Sequence, residues 1–553
     1  MKRTFFVAVL LTAVVAAVYA KSDVADVRCR VTTYDGKGAV LGSCYGMFVA
    51  QDGVAVSPYA PFKGAAKAEV VDADGKKWNV ERICGASDLY EVVKFKTNCS
   101  KAPMATLGVS GLSVGATLQI ADTLGNMVST TVEDVQTYDG LLYYTLNLPA
   151  DDRLEGSPVY DGAGNVVAML QKSSVQERGS SFALDISFVE RLHIDAMSAG
   201  VTALNDIHIA KQLPADKEQA ASYVYLLSKN IDDDEIYLTS LNDYISLFPY
   251  QADGYCELGL YYAARGNYPQ AEQAYEKGLS KAENKADVHY NKSKLIYQLN
   301  RSDAYETYSD WTFEKALEEV GVALEEDGEN SLYKLQEGDC RFALKQYQEA
   351  YDIYQALNAS SSASAETFHS AAIARYYLDG DSAAVLALLD SAVACFAEPY
   401  RSQAGPYLLQ RAYYRALYGE YRLSALDYKS YEDLIGSDRL NDQFFYAKEQ
   451  VDFRARLFQW ALEDIEKALE VAPDDYIYLV EKSLVQIRCA QFDEAILTAK
   501  RALQIEPDGA DAHKMMGIAY GESGQKEEAL EHLRRARELG DPQAEALIAE
   551  LQQ

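Results

Sequence analysis

Ala461, Ala495 and Ala529 recur every 34 residues, and so do Ala468, Ala502 and Ala536, and the pair Pro473 and Pro507. No other feature of the chain restricts its fold as tightly. The stretches "DQFFYAKEQVDFRARLFQWALEDIEKALEVAP", "YIYLVEKSLVQIRCAQFDEAILTAKRALQIEP" and "ADAHKMMGIAYGESGQKEEALEHLRRARELG" carry helical periodicity. A period of this length fits two helices and their turns. Antiparallel helices cross closely only where small residues let their backbones meet. Ala495 and Ala502 lie seven residues apart, on one face of one helix. A proline just past the second helix stops it.

Earlier segments phase the same way. The unit from Ala252 places Leu258, Gly259, Tyr262, Gly266, Ala271 and Tyr275 at matching positions, and the unit from Ser331 does so with Gly338, Ala350 and Tyr354. A unit from Ala286 carries an insertion near Asn300 to Asp310, weaker units start near Ala365 and Gly405, and a degenerate first unit runs from Asp216 to Pro249. This pattern resembles the tetratricopeptide repeat over residues 216–553, in about eight or nine units. The resemblance implies an all-α superhelical solenoid whose groove binds protein or peptide partners. Tyr446, Gln450, Phe453, Ile477, Val480, Leu484 and Ile487 are expected to face that groove. They make an apolar and aromatic surface, without the Lys/Asn pattern that clamps a terminal carboxylate.

Residues 25–190 have a different period. Short runs of Val, Thr, Tyr and Leu are broken by turn dipeptides such as Asp35-Gly36, Asp52-Gly53, Asp74-Gly75 and Asp139-Gly140. Many short strands between such turns predict an all-β barrel or sandwich. Five landmarks follow in order: "GSCYGMFV", "AVSPYAPFKGA", "SDLYEVVKFK", "RLEGSPVYDGAGNVVAML" and "SSFALDISFVERL". Together they resemble the trypsin-like double barrel of HtrA-type serine proteases, with the domain at residues 21–198 and a linker at 199–215.

The resemblance also locates a catalytic triad. Its base falls on Ala60, its orienting acid on Glu91 (or Asp88, if the strand shifts), and its nucleophile on Glu155, just before Gly156-Ser157-Pro158. A methyl group takes no proton, and a hydroxyl becomes nucleophilic at neutral pH only beside a base. The barrel therefore reads as a pseudoprotease with a degenerate triad. A displaced nucleophile at Ser157 would give an active exported endopeptidase, yet no histidine accompanies it in the motif. Glu91 and Glu155 as a glycosidase pair have no supporting cleft signal. Retention of Gly156-Ser157-Pro158 has two readings. It shapes the turn, or it still aims backbone N–H groups at the old oxyanion site, where the Glu155 carboxylate could fold back.

The chain has 553 residues and a net charge of −31. That charge opposes binding to nucleic acid or anionic membranes. Met1-Lys2-Arg3, the apolar run Phe5 to Val18 and the small residue Ala20 read as a secretory signal peptide over residues 1–20. No later stretch is apolar enough to span a bilayer, so the expected location is periplasmic or secreted. Export permits disulfides among Cys29, Cys44, Cys84 and Cys99. Cys256, Cys340, Cys395 and Cys489 fall in helical segments and are expected as buried small residues. No motif calls for a cofactor or a metal. The function expected is an exported, non-catalytic protein-binding scaffold. A third reading is an envelope adaptor tied to cell-wall or outer-membrane machinery, for which composition offers no test.

Overall fold

The computed structural model describes residues 27–552, apart from 105, 123–124, 150, 173–178, 231–232, 303–307 and 309. The expected signal peptide, residues 1–20, and most of the insertion after Asn300 lie outside the described residues. The chain divides into two compact units, one ending at Val288 and one beginning at His289.

The first unit opens with two closed antiparallel barrels. β1 (Arg28–Tyr34), β2 (Val40–Phe48), β3 (Val54–Pro58), β4 (Lys67–Asp72), β5 (Lys77–Ser87) and β6 (Val92–Thr97) close in the order β1-β2-β3-β6-β5-β4. β7 (Thr117–Ala121), β8 (Met127–Tyr138), β9 (Leu141–Leu146), β10 (Pro158–Tyr160), β11 (Val166–Gln171) and β12 (Ser181–Asp185) repeat that order. Small barrels fill with the alternate side chains of each strand. Val31, Phe48, Val70, Ile83 and Phe95 fill the first, and Leu118, Ile120, Val132, Leu146 and Val167 fill the second. Met47, Val56 and Val92 of one pack with Tyr160, Met169 and Leu184 of the other.

One turn chemistry recurs at four hairpins. The side chains of Asp35, Asp72, Asp122 and Asp161 each accept a hydrogen bond from the backbone N–H four residues on, at 2.8 Å. Gly38, Gly75, Gly125 and Gly164, three residues after each aspartate, have φ between +81° and +87°. Only glycine takes that conformation cheaply, so the Asp-x-x-Gly spacing sets where four pairs of strands reverse.

Residues 199–215, expected as a linker, are not a loose connection. Ala199, Ala203, Leu204, Ile207, Ile209 and Leu213 are buried. The backbone bonds along β5, with Ile83 N–H donating to Ala210 O and Gln212 N–H to Ile83 O, both at 2.8 Å. The Cys84 thiol donates to Gln212 Oε1 at 2.9 Å, and Arg82 makes a bidentate pair with Asp243 at 2.5 and 2.8 Å. One core runs from the first barrel through Tyr223, Leu241 and Tyr244 into Leu258 and Ala274. The chain therefore does not part at 198/216; the barrels and the first helices share a unit. Brief trypsin or subtilisin digestion is expected to leave 199–213 uncut. An early cut there, detected by mass spectrometry, would contradict the docking.

From Lys217 onward the described residues form nine helical pairs: Lys217–Asn230 with Asp234–Leu247, Ala252–Ala263 with Tyr268–Lys281, Lys285–Asn300 with Phe313–Glu326, Ser331–Ala343 with Tyr347–Asn358, Ala365–Leu378 with Ser382–Ala394, Gly405–Leu417 with Tyr421–Ile435, Asp442–Arg454 with Phe458–Val471, Tyr476–Arg488 with Phe492–Ile505, and Ala510–Glu522 with Lys526–Glu538. Ala544–Gln552 closes the chain. No helix among the described residues is long and apolar enough to cross a membrane.

The repeated alanines are all fully buried. Seven residues into each first helix, counting from Ala252, Ala286, Ser331, Ala365, Gly405, Tyr476 and Ala510, stand Gly259, Ser293, Gly338, Ala372, Ala412, Ser483 and Gly517. A methyl on Gly259 or Gly338 would meet the ring of Tyr275 or Tyr354 at 2.5 or 2.6 Å, and one on Gly517 would meet Leu533 at 2.6 Å. Ser293 and Ser483 instead donate to the carbonyls of Ala316 and Ala495 in the facing helix, at 2.7 and 2.9 Å. The unit from Asp442 breaks the rule with a fully buried Glu449.

Cys44, Cys84 and Cys99 are buried thiols and form no disulfide. Cys256 and Cys340 are buried as expected, and Cys489 is partly so. Cys395 is exposed, because it lies just past the end of its helix, where its thiol reaches back to Ser391 O at 3.4 Å.

Candidate functional site

The three positions expected for a triad lie near one another where the barrels meet. Ala60 starts a short turn after β3, and its neighbour Tyr59 donates its backbone N–H to Glu91 O at 3.1 Å. Glu91 sits in the β5–β6 connection with φ +54°. Burial raises its carboxyl above the usual range, Asp88 adds to the effect and Lys63 opposes it. The Glu155 carboxyl is also raised by burial, with Asp152 and Glu91 adding and Lys172 opposing. Glu155 therefore feels the charge of Glu91. The side chain at position 60 contributes no titratable group.

Neither barrel contains an imidazole, since the first histidine of the chain is His193, after β12. Cys44, on β2, is a neighbour that the sequence reading did not place here. Its thiol is pushed up to about 12 by burial and by the Glu155 charge, which leaves it unreactive at neutral pH. Ser157 is fully buried, and its hydroxyl has no hydrogen-bond partner.

The turn that carries Glu155 decides what the site can do. Asp152–Leu154 forms a 3-10 turn, capped by the Asp151 carboxylate, which accepts from Arg153 N–H at 3.0 Å. Glu155 N–H donates to Asp152 O at 3.3 Å, Gly156 N–H to Leu170 O at 2.9 Å, and Ser157 N–H to Leu154 O at 3.0 Å. Stabilising an acyl-transfer oxyanion requires N–H groups aimed at the developing charge. At Arg153 and Glu155 those groups are spent within the turn. Of the two readings of the retained Gly156-Ser157-Pro158, these hydrogen bonds agree with the turn-shaping one. The space beside Glu155, lined by Leu148, Leu154, Leu170 and Ser181, is about 10 Å³, room for one water.

Of the seven residues expected to line a groove, Ile477 is exposed, at 54%. The other six are half-buried. Val480, Leu484 and Ile487 pack against Ala495, Ile496 and Met515, in the core between two units. The Tyr446 ring lies 5.0 Å from that of Tyr478, and the Phe453 ring 5.4 Å from that of Phe458. These side chains are shared between surface and core.

No family model matches the chain. It is 31% identical over 116 residues to small glutamine-rich tetratricopeptide repeat-containing protein 2 of Mycosarcoma maydis, a match covering 21% of this chain. The chain spans about a third of that protein's length (31%). Among solved structures, the HtrA-type protease AlgW with decapeptide is 15% identical with a TM-score of 0.26, over 31% of this chain and 63% of that one. The active form of the Rv3671c protease of M. tuberculosis is 15% identical with a TM-score of 0.27, over 34% of this chain and 84% of that one. Two six-stranded barrels closed in the same strand order, followed by helical pairs at the repeat spacing, give this chain the fold of a trypsin-like double barrel continued by tetratricopeptide repeats.

Proposed function

We propose that this protein is a non-catalytic scaffold for polypeptides: a pseudoprotease double barrel carrying a tetratricopeptide array that binds protein partners. One observation carries the reading. The backbone N–H groups of Arg153 and Glu155 are already hydrogen-bonded, to Asp151 and Asp152. No donor pair is left for an oxyanion, and the residue at the base position is Ala60. Repeat arrays of this kind offer extended surfaces to proteins. The exposed Ile477 is a contact site within that reading, and export, to periplasm or medium, rests on the character of residues 1–20.

A second reading, an exported endopeptidase with displaced residues, is favoured by the unpartnered Ser157 hydroxyl. Without a base beside it, that hydroxyl stays protonated and a poor nucleophile. The two readings part in a turnover assay on casein and a fluorogenic peptide library. The scaffold reading expects wild type and Ser157→Ala both to match buffer. Hydrolysis by wild type that Ser157→Ala abolishes would establish the endopeptidase.

A further inference from the structure

In the second unit a cavity of about 780 Å³ opens on the first helices of three successive pairs, Ser331–Ala343, Ala365–Leu378 and Gly405–Leu417. It lies well before the seven residues discussed above. Six aromatic rings line it: Tyr297, Phe313, Phe342, Tyr354, Tyr407 and Tyr431. The faces of such rings are negative and attract cations. Two carboxylates, Asp339 and Glu366, stand among them. Asp339 accepts from the Tyr354 hydroxyl at 2.7 Å, yet burial and the Glu366 charge still push it up to about 6. Its negative charge is incompletely compensated. Arg301 contributes a cation at the edge, 5.5 Å over the Tyr297 ring and 3.4 Å from its hydroxyl; its charge opposes the rise of Asp339 without cancelling it. Burial lowers the pKa of His369; its ring meets Tyr407 edge-on at 5.8 Å, and its Nε2 has no partner.

Rings, paired carboxylates and an unsatisfied nitrogen in one concave space describe a receptor for a cation on an apolar stem. We infer that the cavity takes a lysine or arginine side chain of a partner polypeptide, an inference that rests on reading the array as a polypeptide-binding surface. The rings hold the methylene stem and face the charge, and Asp339 and Glu366 pair with it. The volume lies within the range of small-ligand pockets, ~300–1,000 Å³, so residues flanking the basic side chain enter too, against Ile373 and Leu409. A cation seated there also lowers the pKa of Asp339, so binding strengthens as pH rises through about 6.

Isothermal titration of the full chain with acetyl-Gly-Ala-X-Ala-Gly-amide peptides, X being Arg, Lys, Gln or Glu, tests this directly. The Arg and Lys peptides should bind at least about tenfold more tightly than the Gln and Glu peptides. Asp339→Asn combined with Glu366→Gln should remove that preference. Glu366→Gln alone, at an exposed position that leaves the fold intact, should weaken it several-fold. Glu527→Gln combined with Glu528→Gln, which deletes the same charge from the first turn of Lys526–Glu538, should leave it unchanged. Equal loss in both double variants would reduce the effect to bulk charge and overturn the inference. Preference for the Glu peptide, lost in Arg301→Gln, would assign an acidic occupant instead. Binding of none of the peptides by a folded array overturns it as well. That result leaves the non-catalytic reading to the turnover assay, which does not depend on this cavity.

Discussion

Gly156→Ala should destabilise the double barrel by about 3 kcal/mol, a backbone strain of ~1–2 kcal/mol added to an overpacking cost of ~1–3 kcal/mol. Gly156 has φ +83°, and an alanine methyl there would stand 2.1 Å from Tyr45 O and 2.7 Å from Pro58 Cδ. Both neighbours belong to the first barrel, and the turn is tied to it by Tyr45 N–H donating to Glu155 O at 3.2 Å. Neither backbone can retreat without opening the seam between the barrels. Calorimetry should register a lower melting transition, and hydrogen exchange should show lost protection at Tyr45 and Gly156. Gly162→Ala is the matched control, because nothing lies within 4 Å of its added methyl. Equal stability of the two variants would mean that the turn is not seated as described.

Raising the pH from about 5 to 9 should destabilise the pair Asp442–Arg454 and Phe458–Val471, and Glu449→Gln should blunt that loss. Glu449 occupies the crossing position that seven other units, from Ala252 onward, give to Gly, Ala or Ser. It is fully buried, and its carboxyl is pushed up to about 8, by burial first and then by Glu481, Asp464 and Asp452, while Gln450 donates to it at 2.7 Å and opposes the rise. Asp452 and Asp464 lie side by side; burial raises both, and Lys448 opposes this through its 2.7 Å contacts with Asp464. Glu432 and Lys467 complete the cluster. A carboxyl raised on folding holds its proton in the native state after the unfolded chain has released it. Its contribution is therefore whole below the unfolded value of about 4.5 and drains away as pH climbs through the folded value, at about 1.4 kcal/mol per unit of displacement. Thermal melts at stepped pH should show wild type losing stability across this window and Glu449→Gln losing less. A flat wild-type profile, or one that rises with pH, would contradict the buried, protonated assignment.

Much of the architecture was legible because it follows from local chemistry. A 34-residue step in small residues demands helix pairs, and the alanines at those steps are indeed the buried contacts. Turn residues announced the strands, although the operative signal was Asp-x-x-Gly, with its side-chain cap, rather than the Asp-Gly dipeptides. The docking of residues 199–213, within the linker expected at 199–215, does not show in the sequence, where Lys211 and Gln212 give the segment a loop's polarity. Both are satisfied by docking: the Lys211 ammonium donates to Ile207 O and Gln212 accepts from Cys84. Burial depresses Lys211 to about 8, a cost that no sequence window displays. The chemistry of positions 60, 91 and 155 could be named from residue type, but their meeting across two barrels could not. Nor could the fate of the turn's N–H groups, which depends on a single 3-10 turn. The cavity walled by Asp339, Glu366 and His369 escaped because its residues come from four units, each unremarkable alone.

The account's central claim is that the barrel carries no activated nucleophile. Intact-mass analysis of the purified protein after incubation with a fluorophosphonate probe tests it most directly. The account predicts an unmodified mass, identical for wild type and Ser157→Ala. A single covalent adduct on wild type, mapped to Ser157 and missing from Ser157→Ala, would contradict it.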